Sequence, residues 1–551
     1  MISTAMIRKE RVWKFLAGLP VFLLFLLPMA GALFFATVSA VTPSAWAAQL
    51  RQPEFFAGLE LSLGTGLLAS FLSLLLSLLL ASGFVESGKT ATRLPALGAI
   101  LAVPHLAVAI ALGFLVMPTG MLARLLAIPL GWTTPLGWVI THDPWGVLLV
   151  LALVLKETPF LTYVVLAYLA RTNVRQQFHK QALVAHSLGH GAGSIWARVI
   201  LPQLLPVLAL PLLVVFSYAA TVVDVSLAIG PTQPPTLATL IWADLNSSDP
   251  LENARGSAGA FALTAAVAGG SAAVYLLFKM VEPLVRSFYS AGPDSWPLPK
   301  TASVCLWRAI SIFYILLLAC LVFLSFARLW PFPDLMPRIS DAASWRSIAQ
   351  NPSALITSLV LGLVTSLGGL GLLLLWFETQ SPRSDKFLLA FSLPALALPA
   401  LVIGLGQYQM LLSLGLTGTL PGLYLVHLMP VFAYMYVILA APYRAFDHRW
   451  KSLANGLQSS RLKFLLQVKW PLLKPQLLAS LAIGFAVSFG QYVPAQLAAA
   501  GRYSTLPMEA ISLTAGVNRP LTASYALLLG VAPFAVFMFA AMLSRPRWSR
   551  P

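Results

Sequence analysis

Few side chains in this 551-residue sequence are of types that perform chemistry, and their spacing decides what each could do. The stretch from Gly83 to Thr90, GFVESGKT, is a literal phosphate-loop pattern, which would cradle a nucleotide if a strand preceded it and a helix opened at its lysine. A long apolar run precedes it instead, and no acidic partner at the end of an apolar strand follows, so nucleotide binding is not expected in this chain. His186 and His190 stand four apart with His179 nearby, which is permissible metal-ligand spacing. No carboxylate or cysteine joins them, and a solvated loop face is expected. Cys305 and Cys320 are the only cysteines and support neither a disulfide framework nor a thiolate site. With no serine–histidine–acid set and no paired carboxylates, the chain is expected not to be an enzyme and to carry no cofactor or metal.

A second class of residue is informative by location. Lys156 and Glu157 precede Pro159 inside an apolar run, and His427 precedes Pro430 inside another. Ionisable groups are costly in lipid and mark either a pathway or a pairing with neighbours. Each proline removes a backbone donor and can kink its helix. Two further runs are interrupted by Ser217 and Asp224, and by Ser488, Gln491 and Tyr492, while Gln407, Tyr408 and Gln409 add polar groups to a third. Asp224 could attract a cation or cap the end of the structure.

The elements that must position these residues follow from composition. At 58% hydrophobic and 10% charged, the chain cannot bury its apolar residues in one water-soluble core. Apolar runs long enough to cross a bilayer as helices lie near 14–40, 59–84, 96–117, 145–170, 204–230, 259–284, 306–329, 353–377, 388–413, 421–442, 473–500 and 522–543. The fold expected is an all-α polytopic membrane protein of about twelve transmembrane helices, since open strands would leave backbone groups unsatisfied in lipid and the runs lack the alternation of a barrel. With the N-terminus inside, 26 of the 35 lysines and arginines fall on inner segments, which predicts cytoplasmic N- and C-termini in an inner membrane and explains the net charge of +17 without nucleic acid. The first run is too long for a cleaved secretory signal.

The runs repeat. VPHLAVAIALGFLV from Val103 matches LPALVIGLGQYQML from Leu398, and the segments around Pro159 and Pro430, then Pro202 and Pro471, come in the same order. The predicted domains are 1–290 and 306–551, joined by a cytoplasmic linker at 291–305. Six spans in each make the copies parallel, which excludes inverted repeats. The first copy carries additional residues between Met117 and Trp145, expected as an outer loop with tryptophans at the interface.

After the fourth span of each half comes a polar, basic segment leading through a proline into the fifth. The first reads QALVAHSLGHGAGSIWARVILP and the second KSLANGLQSSRLKFLLQVKWP. This segment resembles the cytoplasmic loop of ABC importer permeases, in which Glu-Ala-Ala is followed after three residues by Gly and, thirteen positions later, by Pro. Ala185, Gly189, Trp196, Leu201 and Pro202 match the pattern. In the second copy Ala454 and Pro471 match, Gly456 lies two residues before the glycine position, and Leu457 and Phe464 supply apolar side chains. Leu183 and Ser452 stand where the glutamate belongs. The length and repeat of the chain look like the fused double permeases of ferric iron and thiamine importers.

The resemblance implies two type I importer permease halves. Each loop would be a knob, two short helices about a glycine turn and ended by proline, that docks in a groove of a cytoplasmic ATPase present in two copies, with Leu183, Leu188 and Trp196 filling that groove. It also implies a fifth helix lining the translocation path and an extracytoplasmic solute-binding protein received by the outer loops. The alternatives from other classes are an ion-coupled secondary transporter and a membrane enzyme acting on lipid-linked substrates.

Overall fold

The computed structural model describes residues 16–544 except 89, 136, 139, 290–298, 448 and 457–459. Helices account for nearly all of it, because every backbone group in an apolar setting must find a partner within its own segment. In chain order those that matter for the packing and the site are α1 (Leu16–Ser39), α2 (Phe55–Glu86), α3 (Thr90–Ala102), α4 (His105–Val116), α5 (Val147–Leu169), α6 (Thr172–Ser187) and α7 (Ala192–Thr221). Next are α8 (Asp224–Ile229), α9 (Leu237–Leu245), α10 (Pro250–Tyr289) and α11 (Lys300–Phe326). The second half continues with α12 (Ser353–Thr379), α13 (Asp385–Ala397), α14 (Ala400–Ser413), α15 (Leu420–Arg444), α16 (Arg449–Gly456), α17 (Arg461–Leu472) and α18 (Lys474–Phe489). It closes with α19 (Val493–Ala499), α20 (Leu506–Thr514) and α21 (Arg519–Ser544).

Among the described residues, ten helices are long and apolar enough to span a membrane, and twelve spans result if α13 with α14, bent by 114°, and α17 with α18, bent by 78°, each count as one. The chain is an all-α polytopic membrane protein. Several boundaries differ from those expected of the sequence: the runs over 204–230, 388–413 and 473–500 are broken at 222–223, 398–399 and 490–492. The run expected to be continuous over 96–117 breaks between α3 and α4, where Pro104 has no N–H to extend the helix. The linker expected at 291–305 lies outside the described residues up to 298, and Lys300 already opens α11.

The helices form two compact units that do not coincide with the two sequence halves. One comprises Thr42–Ser347 with Ile511–Leu527, and here α11, the first span of the second half, lies along α2. Gly83 is the crossing point: a Cβ there would run into the Ser303 side chain, whose hydroxyl donates to the Leu80 carbonyl at 3.3 Å. This gives the phosphate-loop lookalike another purpose, since Gly83 to Glu86 are the last turn of α2 and Glu86 pairs with Lys300 of α11 at 2.6 Å. The other unit contains α1 with Ile348–Ala510 and the chain beyond Leu528. Here α1, the first span of the first half, lies along α14, where a Cβ on Gly406 would enter the Ala32 backbone, and Phe25 stacks on Phe432 at 4.1 Å. Each sequence half therefore lends its first helix to the other unit.

The repeat persists at the level of single bonds. Ser62 of α2 accepts the Leu237 N–H at the start of α9 at 2.9 Å, and Ser358 of α12 accepts the Leu506 N–H at the start of α20 at 2.8 Å. In the same register, Ser70 donates to the Gly66 carbonyl and Ser366 to the Gly362 carbonyl, both at 2.7 Å.

Candidate functional site: two surface knobs and two proline breaks

The first knob is α6, a turn, and the start of α7. Gly189 has φ of +89°, a conformation that costs little only without a Cβ. From it the His190 N–H reaches the Ala185 carbonyl at 3.1 Å and the Gly189 N–H reaches the His186 carbonyl at 3.0 Å, the two bonds of a Schellman stop. His190 also bonds Ser194 through Nδ1 at 3.0 Å, so this histidine secures the turn. Ala185, Ile195 and Trp196 are each 8% exposed and join Phe84, Leu97, Leu161, Ile200 and Leu204 in the unit's core. Leu183, Val184 and Leu188, by contrast, are 57%, 60% and 65% exposed on the outside of the knob.

Two expectations are corrected here. Trp196, expected at the docking face, faces inward, because burying an indole in the unit's own core is worth more than holding it in water. Pro202 does not end a helix. A π-turn at Trp196–Ile200 shifts the hydrogen-bond register, and Leu201 and Pro202 fall in the first turn of the α-helical stretch Leu201–Thr221, where a missing N–H costs little.

The second knob reproduces the first 269 residues later. The short helix Ala192–Ile195 returns as Arg461–Phe464, and the π-turn Trp196–Ile200 as Leu465–Lys469. Ala454, Phe464 and Leu465, the counterparts of Ala185, Ile195 and Trp196, are 9%, 7% and 8% exposed in a cluster of their own. Pro471 stands in the last short stretch of α17, one turn from the bend into α18. Gly456 closes α16 and is exposed, while Leu457 lies outside the described residues. Leu453, Leu462 and Leu466 are exposed, matching the apolar exterior of the first knob.

The intramembrane residues gather around the two proline breaks. Pro159 leaves the Leu155 carbonyl without its helical donor, and the Tyr314 hydroxyl of α11 supplies one at 2.9 Å. Pro430 does the same to the Val426 carbonyl, and the Gln407 amide of α14 approaches it at 3.4 Å while also reaching Met429 Sδ at 3.0 Å. His427 bonds the Ser488 hydroxyl through Nδ1 at 2.9 Å, and the Gln491 amide donates to the His427 carbonyl at 3.1 Å. Gln407, His427, Ser488 and Gln491 thus meet on one turn of α15, and His427 Nε2 and the amide oxygens of Gln407 and Gln491 have no partner among the described residues.

In the first half the grouping is different. Lys156, 2% exposed, donates to the carbonyls of Ile100 at 3.0 Å and Val103 at 2.6 Å, closing the end of α3 that Pro104 leaves open. This is the pairing with neighbours that is one of the two expectations for it. Glu157 instead meets His105 Nε2 at 2.8 Å, and His105 lies against the Tyr218 ring at 4.6 Å. Asp224 opens α8 and is half-buried. Ser217 lies on α7, its carbonyl accepting from the Thr221 hydroxyl at 2.7 Å one turn on. Tyr492 is buried immediately before α19, and Tyr408 is half-buried on α14, one residue beyond Gln407. Sequence reasoning missed His105 and Tyr314. The first directly follows a proline, a signal that could have found it, but the second is a tyrosine in an apolar run whose partner belongs to the other half.

No family model matches the sequence. Among characterised proteins, the chain is 30% identical over 507 residues to the inner membrane ABC transporter permease protein YnjC of Escherichia coli (strain K12), a stretch covering 92% of this chain and 91% of that one. The chain is an ABC transporter permease. The similarity extends through both halves, so the paired knobs and proline breaks belong to the aligned permease and not to an appended segment.

Proposed function

We propose that this permease is the transmembrane part of an ATP-driven importer, taking a small solute from an extracytoplasmic binding protein and coupling its passage to two copies of a separate cytoplasmic ATPase, with both termini in the cytoplasm of a cell bounded by this inner membrane. The observation that carries the reading is the pair of knobs, alike in their elements and burial pattern 269 positions apart, each burying its alanine and aromatic or leucine and exposing a leucine-rich exterior. Exposed apolar patches of this kind on a repeated element mark an interface. Within each unit the polar turn, around Pro159 with Glu157, His105 and Asp224, and around Pro430 with His427, Gln407, Ser488 and Gln491, is the proposed point of contact with the solute. The chain itself hydrolyses nothing and holds no cofactor in this reading. Ferric iron and thiamine are the solutes raised by the sequence resemblance.

The test is affinity purification of the tagged permease in mild detergent, mass identification of co-purifying chains, and ATP hydrolysis by the complex. An ATPase retained by the natural chain and lost or uncoupled in Gly189→Asp and Ala454→Asp is the expected outcome. Recovery of the chain alone, with uptake into vesicles sustained by an ion gradient and no ATP, would overturn the importer and favour an ion-coupled carrier.

A further inference from the structure

The two knobs are fastened to their units in different ways. The first is held by apolar side chains, Trp196, Ile200 and Leu204 against Leu80, Phe84 and Leu97. The second presents two cations to a single carboxylate. Glu378, at the end of α12, accepts from Lys469 Nζ at 2.6 Å and from Arg461 at 3.2 Å, and Arg461 also donates to the Glu378 carbonyl. The Tyr443 hydroxyl of α15 gives the carboxylate a third donor at 2.8 Å and itself accepts from Trp470 Nε1 at 3.1 Å. Lys469 lies 4.0 Å from the centre of the Tyr443 ring. Behind this stands a second pair, Arg444 with Asp385 at 2.7 Å through both nitrogens, which also grips the Phe377 carbonyl at 2.9 Å.

In the first half the equivalent positions carry no charge. Ala192 and Ile200 occupy the places of Arg461 and Lys469, and Ser82 stands at the position of Glu378 in the register fixed by Ser62 and Ser358. Glu378 and Lys469 are only 16% and 14% exposed at their side chains. Breaking one member of such a pair leaves an uncompensated charge, so the pair holds its elements in a single arrangement.

We propose that Glu378 is a positioning residue that locks the second knob to α12. The second knob, α12 and α15 then move as one body when the ATPase closes. The proposal rests on the importer reading.

The experiment uses the full chain with its co-purified ATPase in nanodiscs, with Cys305 and Cys320 changed to serine and spin labels at Lys463→Cys, an exposed polar position of α17, and Leu367→Cys, on the exposed side of α12. The label distance is measured without nucleotide and after trapping with ATP and vanadate. The expected result is one unchanged distance in the natural background, a nucleotide-dependent shift in Glu378→Gln with ATP hydrolysis retained, and restoration of the single distance in Glu378→Asp. If Glu378→Gln does not fold, the pair Glu378→Met with Lys469→Met removes both charges together and is read in the same way. An unchanged distance in either variant, or a nucleotide-dependent shift already present in the natural background, overturns the lock. Failure of the unmodified chain to retain an ATPase overturns the importer reading instead.

Discussion

At the scale of the residue, each half repairs its proline break with a donor from another helix. Tyr314→Phe would leave the buried Leu155 carbonyl unsatisfied, a cost of about 1–3 kcal/mol. The expected outcome is a lower melting midpoint of the purified permease, with Tyr275→Phe, at a 60% exposed position, leaving it unchanged. Equal midpoints for the two variants would show that the carbonyl finds another donor. Much of this was legible: the prolines and the ionisable residues close before them are all in the sequence. The role of Lys156 was not, because it depends on the gap between α3 and α4, and an apolar run hides a break that only Pro104 hints at. Gln407 and Gln491 were recognised as polar interruptions, but that both serve the same turn of α15 is a fact of packing.

At the scale of the element, the knobs show how a degraded motif can keep its shape. What the loop needs physically is a small residue where Ala185 and Ala454 are buried, bulk at the next turn, and a reversal between them. The glutamate contributes to none of these, and its loss leaves the fold of the first knob intact. The glycine matters more. With φ at +89°, any side chain with a Cβ is strained, by roughly 1–2 kcal/mol. Gly189→Val is expected to loosen the turn and raise protease cleavage between α6 and α7, with Gly189→Asn milder because asparagine tolerates the left-handed region. Equal cleavage in both variants and the natural chain would mean that the turn is held by its neighbours and not by Gly189. Spacing made these positions visible in sequence. The inward turn of Trp196 was hidden, because an aromatic side chain at an amphipathic position serves core and interface equally well until the neighbouring helices are placed.

At the scale of the whole molecule, two gene-level halves become two packed units only by exchanging helices. The repeat in sequence gives the number and order of spans, yet no sequence signal tells α1 to leave its own half, since its apolar surface would suit either set of neighbours. The preference lies in shape: Gly406 lets the α1 backbone come against α14, and Gly83 does the same for α11 on α2. Each exchanged helix buries a glycine contact that a larger residue would block, so neither half is complete without its counterpart. Residues 1–298 and 299–551 expressed as separate chains should therefore each be degraded alone but accumulate and co-purify when expressed together. Gly406→Leu in the second fragment should abolish that recovery by holding α1 away, while Gly371→Leu, at a glycine with open space around it, should not. Stable accumulation of either fragment by itself would show that the exchanged helix is an accessory to its unit and not a part of its core.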